Sequence, residues 1–283
     1  MSENPKYILS CDIGGTHITS AIVLKYDWKI IQNTITRMYI DSSLDAKSIF
    51  QLWASNIQRC IDRSDHEILA LGIAIPGPFD YENGISLMTG QSKYDSIYSL
   101  NTTLGIQKAL NNHTLEIRYI NDAAAFLQGE VYAAHRENEN CVLGLTLGTG
   151  LGSAVKQKGT KAFDADLWNI AYKESIFEEY LVTRWFTKRF FELTTIQEKG
   201  LKEIIQNHQD TIEFQQLMEE YRHHLKDFLD YFSNKYDCNS FIIGGNIAKA
   251  WYIINIPQTF NNYNITIGQY AEEAALIGAA SLY

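Results

Sequence analysis

The feature that most constrains this chain is a strand–glycine turn–strand unit that occurs twice. A predicted apolar strand, Tyr7 to Asp12, is followed by the turn Gly14-Gly15-Thr16 and by a second predicted strand, Ile18 to Leu24. About 135 residues further on, the apolar run Cys141 to Thr146 enters a glycine-rich turn at 147–152, after which another strand resumes. Antiparallel strands joined by a glycine turn are typical of a hairpin. This weak internal repeat predicts two related halves.

A third glycine turn follows an apolar strand near the C-terminus, so three such turns are candidates for phosphate binding. Besides the first turn, they are Gly148-Thr149-Gly150 and Gly244-Gly245-Asn246. Glycine lets backbone N–H groups approach an anion closely, and threonine adds a hydroxyl donor. None is a Walker A loop, and each taken singly also fits an ordinary tight turn. Two of them half a chain apart are what a nucleotide held between two similar domains would need.

Asp12 directly precedes the first turn, where a carboxylate would repel a bound phosphate. Coordination of Mg²⁺, directly or through water, would remove that conflict. The alternative is a structural role in which Asp12 accepts N–H bonds from its own turn. The two roles are compatible.

Asn121-Asp122 forms a second candidate site, because it stands between a predicted strand and a predicted helix. The strand is Leu115 to Ile120, and the alanine-rich helix is Ala123 to Arg136. Open α/β sheets bind their ligands at the carboxyl ends of strands, so this carboxylate is placed for catalysis. The alternative is that one of the two residues caps the helix.

Length and charge set limits on the class of protein. The chain has 283 residues, enough for two domains, and a net charge of −9, which argues against nucleic-acid binding. The first apolar run, Tyr7 to Leu24, is interrupted by Asp12 and glycines, so we expect neither a signal peptide nor a membrane span. The four cysteines are widely spaced without a CxxC pair, so we expect no disulfides and a cytoplasmic protein.

The remaining patterns alternate between helix and strand and predict an α/β fold. The other predicted helices are Ser43–Ser64, Leu104–Asn111, Ile176–Phe191, Thr211–Asn234 and Ala271–Leu282, and the other strands are Asn33–Tyr39, Leu69–Ile75 and Asn239–Ile243. We place one domain at residues 1–122 plus 270–283 and the other at residues 123–269.

These motifs together resemble the ROK family (repressors, open reading frames and sugar kinases), within the sugar kinase/actin-like ATPase superfamily. The first two glycine turns resemble the phosphate motifs, and Phe241 to Ala248 resembles the adenosine motif. Three further segments resemble the family in order and spacing: Ile75-Pro76-Gly77-Pro78, Asn121-Asp122 and Ala271 to Ala280. The resemblance covers nearly the whole chain.

The resemblance implies two actin-like/ribonuclease H-like ATPase domains with an interdomain cleft. It implies ATP and Mg²⁺ as cofactors, and transfer of the γ-phosphoryl group to a sugar hydroxyl, usually at C6. The acceptor would be a hexose or N-acetylhexosamine such as glucose or N-acetylmannosamine. Asn121 would orient the sugar and Asp122 would be the general base. The resemblance also suggests a homodimer, which the segment Ile176 to Phe191 could help to form.

The chain departs from the family where sugar kinases carry Glu-x-Gly-His followed by a cysteine-rich zinc motif. Asp166 aligns with the sugar-binding Glu, Asn169 with the His, and Glu178 with a second Glu. No cysteine lies between them, so we expect no zinc site of that type. Packing by Trp168, Tyr172 and Phe177 would then hold the loop. Glu178 is equally explained as a first-turn helix acid.

The other wall of the family's sugar pocket corresponds to Gly77 and to residues Gln91 to Lys93. Two further readings of the chain compete with an enzyme. A transcription regulator would carry a helix-turn-helix domain, but only Met1 to Lys6 precede the first strand, so we expect none. A catalytically weak or silent sugar-binding or regulatory protein remains the alternative, because the sugar loop is altered.

Overall fold

A computed structural model describes residues 6–90, 93–255 and 260–283. The strands are β1 Tyr7–Ile13, β2 His17–Leu24, β3 Lys29–Ile30, β4 Thr36–Tyr39, β5 Ala70–Ile75, β6 Phe79–Asp80, β7 Ile85–Ser86, β8 Glu116–Asn121, β9 Cys141–Leu147, β10 Leu151–Gln157, β11 Phe163–Asp164, β12 Ala171–Tyr172, β13 Ser175–Ile176, β14 Ser240–Gly244 and β15 Asn264–Ile267. The helices are α1 Ala46–Ile61, α2 Thr102–Leu110, α3 Asp122–Ala133, α4 Glu178–Leu181, α5 Thr183–Thr194, α6 Leu201–His208, α7 Ile212–Tyr236, α8 Trp251–Ile254 and α9 Glu272–Ala280.

The chain forms two compact units. Unit 1 comprises Met1–Asn138, Gly159–Phe163 and Tyr270–Tyr283, and unit 2 comprises Glu139–Lys158 and Asp164–Gln269. Each unit has its own sheet and its own apolar core.

The central strands of the two sheets are arranged in the same order, as the repeated hairpin predicts. In unit 1 the order is β3-β2-β1-β5-β8, with β4 also paired to β2. In unit 2 it is β11-β10-β9-β14-β15. Each sheet contains an antiparallel hairpin, β1–β2 or β9–β10, followed by two strands parallel to the first strand of the hairpin. The carboxyl ends of three parallel strands therefore lie along one edge of each sheet.

Strand β1 is buried on both faces, which fits its mostly apolar sequence. Leu9, Cys11 and Ile13 pack in a core with α1 residues such as Trp53. Ile8, on the opposite face, packs with Leu276 of α9. Alternate residues of a strand point to opposite faces, so the sheet of unit 1 is covered by helices on both sides.

Helices α3 and α9 approach so closely that two glycines are required between them. A Cβ atom built on Gly129 of α3 would lie 1.8 Å from the carbonyl oxygen of Ala274, and one on Gly278 of α9 would lie 1.9 Å from that of Ala125. This contact joins α3 to unit 1, which continues to Asn138. The boundary predicted near residue 122 therefore differs from the observed one, because α3 packs against a helix distant in sequence.

The segment 159–163 also belongs to unit 1, although it falls within the second predicted domain. The Ala162 N–H donates to the buried Gln128 side chain of α3 over 2.5 Å. This bond satisfies a polar group that would otherwise be costly to bury.

The predicted helix Ile176–Phe191 is divided in the structure. The first residue of the predicted helix is the last residue of β13, and the four-residue α4 follows. The helix is then interrupted at Val182, whose extended backbone has φ −107° and ψ 169°. Helix α7, predicted as Thr211–Asn234, is the longest, with Thr211 as its N-cap. Of the helices in the described ranges, none combines the length and the apolar character needed to cross a bilayer.

Candidate functional site

The predicted site residues of unit 1 lie along one edge of its sheet. Asp12 of β1 is in register with Ala74 of β5, and Ile75 is in register with Asn121 of β8. These three strands are parallel, so the turns that follow them start at the same edge. The structure thus brings Asp12, Asn121 and Asp122 to the place where open sheets bind ligands.

In the turn Gly14-Gly15-Thr16, the carbonyl groups of Gly14 and Thr16 are hydrogen-bonded, whereas two backbone N–H groups lack an acceptor among the described residues. The Tyr94 hydroxyl donates to the Gly14 carbonyl over 2.6 Å, and the Ile40 N–H donates to the Thr16 carbonyl over 2.7 Å. No described residue accepts a hydrogen bond from the N–H of Gly15 or Thr16. Unpaired N–H groups in a glycine turn are suited to bind an anion.

Asn121 is the N-cap of α3. Its side-chain oxygen accepts the N–H groups of Ala123 and Ala124 over 2.9 and 3.1 Å. Its amide donates to the hydroxyl oxygen of Tyr81 over 3.2 Å, and that hydroxyl donates to the carbonyl of Ile75. The capping alternative is therefore correct for Asn121, whose side chain is 6% exposed. These bonds hold the start of α3 to the neighbouring strand.

Asp122 is the first residue of α3, and its side chain is exposed. One carboxylate oxygen accepts the Ala123 N–H over 2.9 Å. The surrounding protein removes part of the hydration of this carboxylate and raises its pKa, while the Ala123 N–H and the charge of Lys93 oppose the rise. The second oxygen remains available, so Asp122 is placed to accept a proton.

Asp12 lies among negative charges. Burial raises the pKa of Asp12 to about 7, the charges of Asp122 and Glu272 add to the rise, and Arg37 opposes it. A half-buried carboxylate with two acidic neighbours and two free N–H groups beside it fits a cation bound together with phosphate. Asp12 is therefore the residue of unit 1 that could hold Mg²⁺, which prefers such oxygen ligands.

We expect Asp12→Asn to stabilise the protein in metal-free buffer, since it removes a charge that burial and, to a lesser extent, the acidic neighbours disfavour. An unfolded Asp12 has a pKa near its ordinary value of 3.8, whereas the folded value is about 7. Between these values the folded state binds more protons, so the contribution of Asp12 to stability falls as pH rises from 4 to 7. The variant should gain on the order of 2 kcal/mol in free energy of unfolding at pH 8, and less at pH 5.

Chemical denaturation with EDTA present measures this gain. The control is Asp65→Asn, which removes an exposed carboxylate of the same unit and should leave stability unchanged. An Asp12→Asn protein no more stable than the parent at pH 8 would contradict the electrostatic account.

In unit 2 the turn Gly148-Thr149-Gly150 has the same character as the first turn. The Thr183 N–H and hydroxyl donate to the Gly148 carbonyl over 2.8 and 2.9 Å, and Arg184 donates to the Thr149 carbonyl over 3.0 Å. Within the described ranges, the N–H groups of Thr149 and Gly150 have no acceptor. This second turn can also bind an anion.

The turn Gly244-Gly245-Asn246 starts beside the second turn, because Gly244 is in register with Thr146 of β9. Gly245 has φ +89°, and a Cβ atom on it would lie 2.3 Å from the Leu147 carbonyl oxygen. Only glycine permits this conformation and this approach. The third glycine turn is therefore held against the strand that leads into the second.

Asp166 and Asn169 lie exposed in one loop of unit 2. Asp166 adopts φ +51°, and its carboxylate accepts the indole N–H of Trp168 over 2.8 Å. The Glu178 N–H donates to the Trp168 carbonyl over 3.1 Å and closes the loop. The three residues aligned with the family's sugar-binding positions are thus near one another in the fold.

The Glu178 side chain links this loop to the second glycine turn. One carboxylate oxygen accepts the Leu151 N–H over 3.0 Å, and the other contacts Arg184 over 2.8 Å. Glu178 is also the first residue of α4. Both of its oxygens have structural partners, so the structural alternative is realised, and any sugar contact would use their remaining lone pairs.

Aromatic packing holds the loop where the family carries zinc. Tyr172 stacks on the buried Phe177 with ring centroids 4.3 Å apart, and its hydroxyl donates to Asp227 over 2.7 Å. Phe177 in turn meets Phe228 of α7. Trp168, which we expected to pack here, is 42% exposed. Over the described part of the chain, no three His, Cys, Asp or Glu side chains group to hold a metal ion.

A broad groove of about 890 Å³ lies on unit 2 and shares Arg184 with the second glycine turn. Acidic and basic side chains share its lining, including Lys173, Arg184, Glu192 and Glu220. None of the predicted site residues lines it. Its mixed charge indicates no particular ligand.

Several residues of the site were missed by sequence reasoning. Tyr94, Tyr81 and Arg184 hold the glycine turns or Asn121 in place, yet no local pattern marks them. Of the predicted pocket wall, Gly77 follows β5, with Tyr81 beside it. Gln91 lies outside the described residues, and the Lys93 side chain lies over Gly15 of the first glycine turn.

A family model and curated relatives each match part of this chain. A model described as the ROK family matches residues 8–162, more than half of the chain. The N-acetyl-D-glucosamine kinase of Mannheimia succiniciproducens is 27% identical over 150 residues. That match covers 51% of this chain and 44% of the relative, so the chain spans less than half the length of the curated relative.

Solved structures match nearly the whole chain. A ROK family glucokinase from Streptomyces griseus, in complex with glucose and AMPPNP, has a TM-score of 0.74 at 18% identity and covers 98% of each chain. A ROK family transcriptional regulator, a homolog of the Escherichia coli MLC protein, has a TM-score of 0.76 at 18% identity, over 97% of this chain and 78% of that one. These matches confirm the predicted two-domain, actin-like α/β fold.

Proposed function

Because this chain belongs to the ROK family, we propose that it is an ATP-dependent sugar kinase. It would transfer the γ-phosphoryl group of ATP to a hydroxyl, at C6, of a hexose or N-acetylhexosamine. The curated relative that acts on N-acetyl-D-glucosamine makes this sugar the first acceptor to test, followed by N-acetylmannosamine and glucose.

One observation carries the proposal. An exposed carboxylate, Asp122, lies at the same sheet edge as a glycine turn with two unbonded N–H groups, those of Gly15 and Thr16. A proton acceptor beside an anion site is what phosphoryl transfer to a hydroxyl requires.

Asp122 would take the proton of the acceptor hydroxyl as its oxygen bonds to phosphorus. The hydrogen bond from the Ala123 N–H to Asp122 restrains one carboxylate oxygen, so the orientation of the other oxygen is restrained as well. The raised pKa of Asp122 brings its basicity closer to neutral pH, which favours general-base catalysis. Placement of the hydroxyl in line with the phosphate would contribute most of the rate.

We assign sugar contacts to each unit separately, from the residues that match the family's pattern. In unit 1 these are the backbone of Gly77 and the amide of Asn121, which has one hydrogen left after bonding Tyr81. In unit 2 they are Asp166, Asn169 and Glu178. Asp166 is one methylene shorter than the family's Glu, so selectivity among sugars should differ from that of zinc-containing relatives.

We assign nucleotide contacts to each unit separately. In unit 1, the N–H groups of Gly15 and Thr16 would bind phosphate oxygens. In unit 2, the N–H groups of Thr149 and Gly150 would bind phosphate oxygens, and Gly244, Gly245 and Asn246 would contact the adenosine. Asp12 would hold Mg²⁺, directly or through water, which when bound neutralises the phosphate charge.

A sugar-binding protein with weak or no turnover is the second candidate. The observation in its favour is the bonding of Glu178 to Leu151 and Arg184, which occupies a residue aligned with the family's sugar ligands. Such a protein would bind sugar without releasing ADP.

We also propose a cytoplasmic homodimer, in line with the family resemblance. Phe191 at the end of α5 is 49% exposed and could contribute to the contact. Light scattering after size exclusion tests the dimer, and a monomeric mass at micromolar concentration would contradict it.

A coupled assay of ADP release from MgATP tests the kinase. We expect turnover with at least one of N-acetylglucosamine, N-acetylmannosamine and glucose, and no release without sugar. The control is Asp12→Asn, which should lose activity while remaining folded. Sugar binding by calorimetry without ADP release on any sugar would favour the binding protein instead.

A further inference from the structure

We propose that Lys93 is a catalytic residue of this kinase. Its ammonium group would contact the phosphoryl group during transfer, between the first glycine turn and Asp122. This inference rests on the proposed sugar kinase function and adds to it a positive charge at the reacting atoms.

The side chain of Lys93 lies directly over the first glycine turn. A Cβ atom built on Gly15 would lie 2.9 Å from Cε, 3.0 Å from Cδ and 3.3 Å from Nζ of Lys93. The absence of a side chain at Gly15 therefore makes the space that Lys93 occupies. The same glycine presents an unbonded N–H group, so a phosphate bound to that group would lie within reach of the ammonium.

The backbone of Lys93 is positioned by its neighbour, Tyr94, which is fully buried. The Tyr94 hydroxyl donates to the Gly14 carbonyl over 2.6 Å, and its N–H donates to the Ser42 carbonyl over 2.9 Å. Its ring meets that of Trp53 at a centroid distance of 5.5 Å. Tyr94 thus bonds to the glycine turn itself and keeps Lys93 beside it.

The charge of Lys93 is available for a substrate. Its side chain is exposed, and no ion pair joins it to a carboxylate of the described chain. Its charge interacts with the Asp122 carboxylate and lowers the pKa of that group. Lys93 is thus a cation beside the first glycine turn, and its charge also acts on the Asp122 carboxylate.

The reaction balances without a proton passing through Lys93. The acceptor hydroxyl loses its proton to Asp122, its oxygen bonds to the γ-phosphorus, and the bond from that phosphorus to the β–γ bridging oxygen breaks. The electron pair leaves with ADP. Lys93 stays protonated and stabilises the charge on the oxygens of the transferring group, where preorganised positive charge has its largest effect.

Steady-state kinetics of Lys93→Met and Lys93→Arg test this role on the acceptor found for the parent. Loss of one preorganised charge should lower kcat about 10²–10³-fold, with the KM for sugar within about threefold because the contact forms in the transition state. Lys93→Arg keeps the charge and should retain more activity than Lys93→Met. The matched control, Lys108→Met, removes an exposed lysine of α2 and should keep the parent kcat.

Chemical rescue separates a lost charge from a disturbed fold. Lys93→Ala should recover activity when ethylammonium is added, and Lys108→Ala and the parent should not respond. A parent-like kcat in Lys93→Met, or a loss of activity in Lys93→Ala that ethylammonium does not reverse, overturns the proposal while the kinase function stands. A parent that releases no ADP with any sugar refutes the kinase function first, and this inference with it.

Discussion

Asp122→Asn is expected to lower kcat by about 10³-fold, because it removes the proton acceptor from the reaction. The substitution is isosteric and keeps an oxygen for the Ala123 N–H, so the fold should persist. The KM for sugar should change by no more than about threefold if Asp122 acts mainly in the transition state. Steady-state kinetics on the sugar with the highest turnover measures both quantities.

Asp45→Asn is the matched control for this variant. Asp45 is the N-cap of α1 in the same unit, and its carboxylate bonds Ser48 rather than facing the site. Its activity should equal that of the parent. An Asp122→Asn enzyme that turns over at the parent rate would remove Asp122 from the mechanism.

The second large effect is on stability. Gly129→Ala and Gly278→Ala should each lower the free energy of unfolding by about 3 kcal/mol or more, because the added methyl groups meet backbone oxygens that cannot move aside. Activity should fall as well, since α3 carries Asp122 at its first residue. Urea unfolding followed by circular dichroism measures the loss.

Gly105→Ala provides the comparison, as it is the same change in another helix of unit 1. There the added methyl group meets the ring of Phe50, a side chain that can shift. We expect a change within about 1 kcal/mol, because alanine also favours the helix. Parent-like unfolding of both Gly129→Ala and Gly278→Ala would show that the α3–α9 contact is looser than the structure indicates.

Sequence reasoning was most successful where the determinants are local. The two hairpins follow from alternation and glycine turns at Asp12 and Thr146, and the cap at Asn121 follows from its place before an alanine-rich helix. Each of these depends on residues within one short segment of the chain, such as Tyr7 to Leu24 for the first hairpin. The glycine turns could therefore be interpreted before the fold was known.

The rest depends on contacts between distant residues. The limit of unit 1 at Asn138 is set by the packing of Gly129 on Ala274, and nothing near residue 122 signals it. The place of Lys93 follows from the bond of Tyr94 to Gly14, eighty positions away in the chain. Such contacts leave no periodic pattern.

The packing of α9 on unit 1 has a consequence for synthesis on the ribosome. Helix α9 covers one face of the sheet, around Ile8, but it is translated after all of unit 2. At a translation rate of about 5–20 residues per second, that face of the sheet stays without α9 for on the order of ten seconds. The nascent chain exposes an apolar surface throughout this interval, so chaperone supply and translation speed should govern the yield of folded protein.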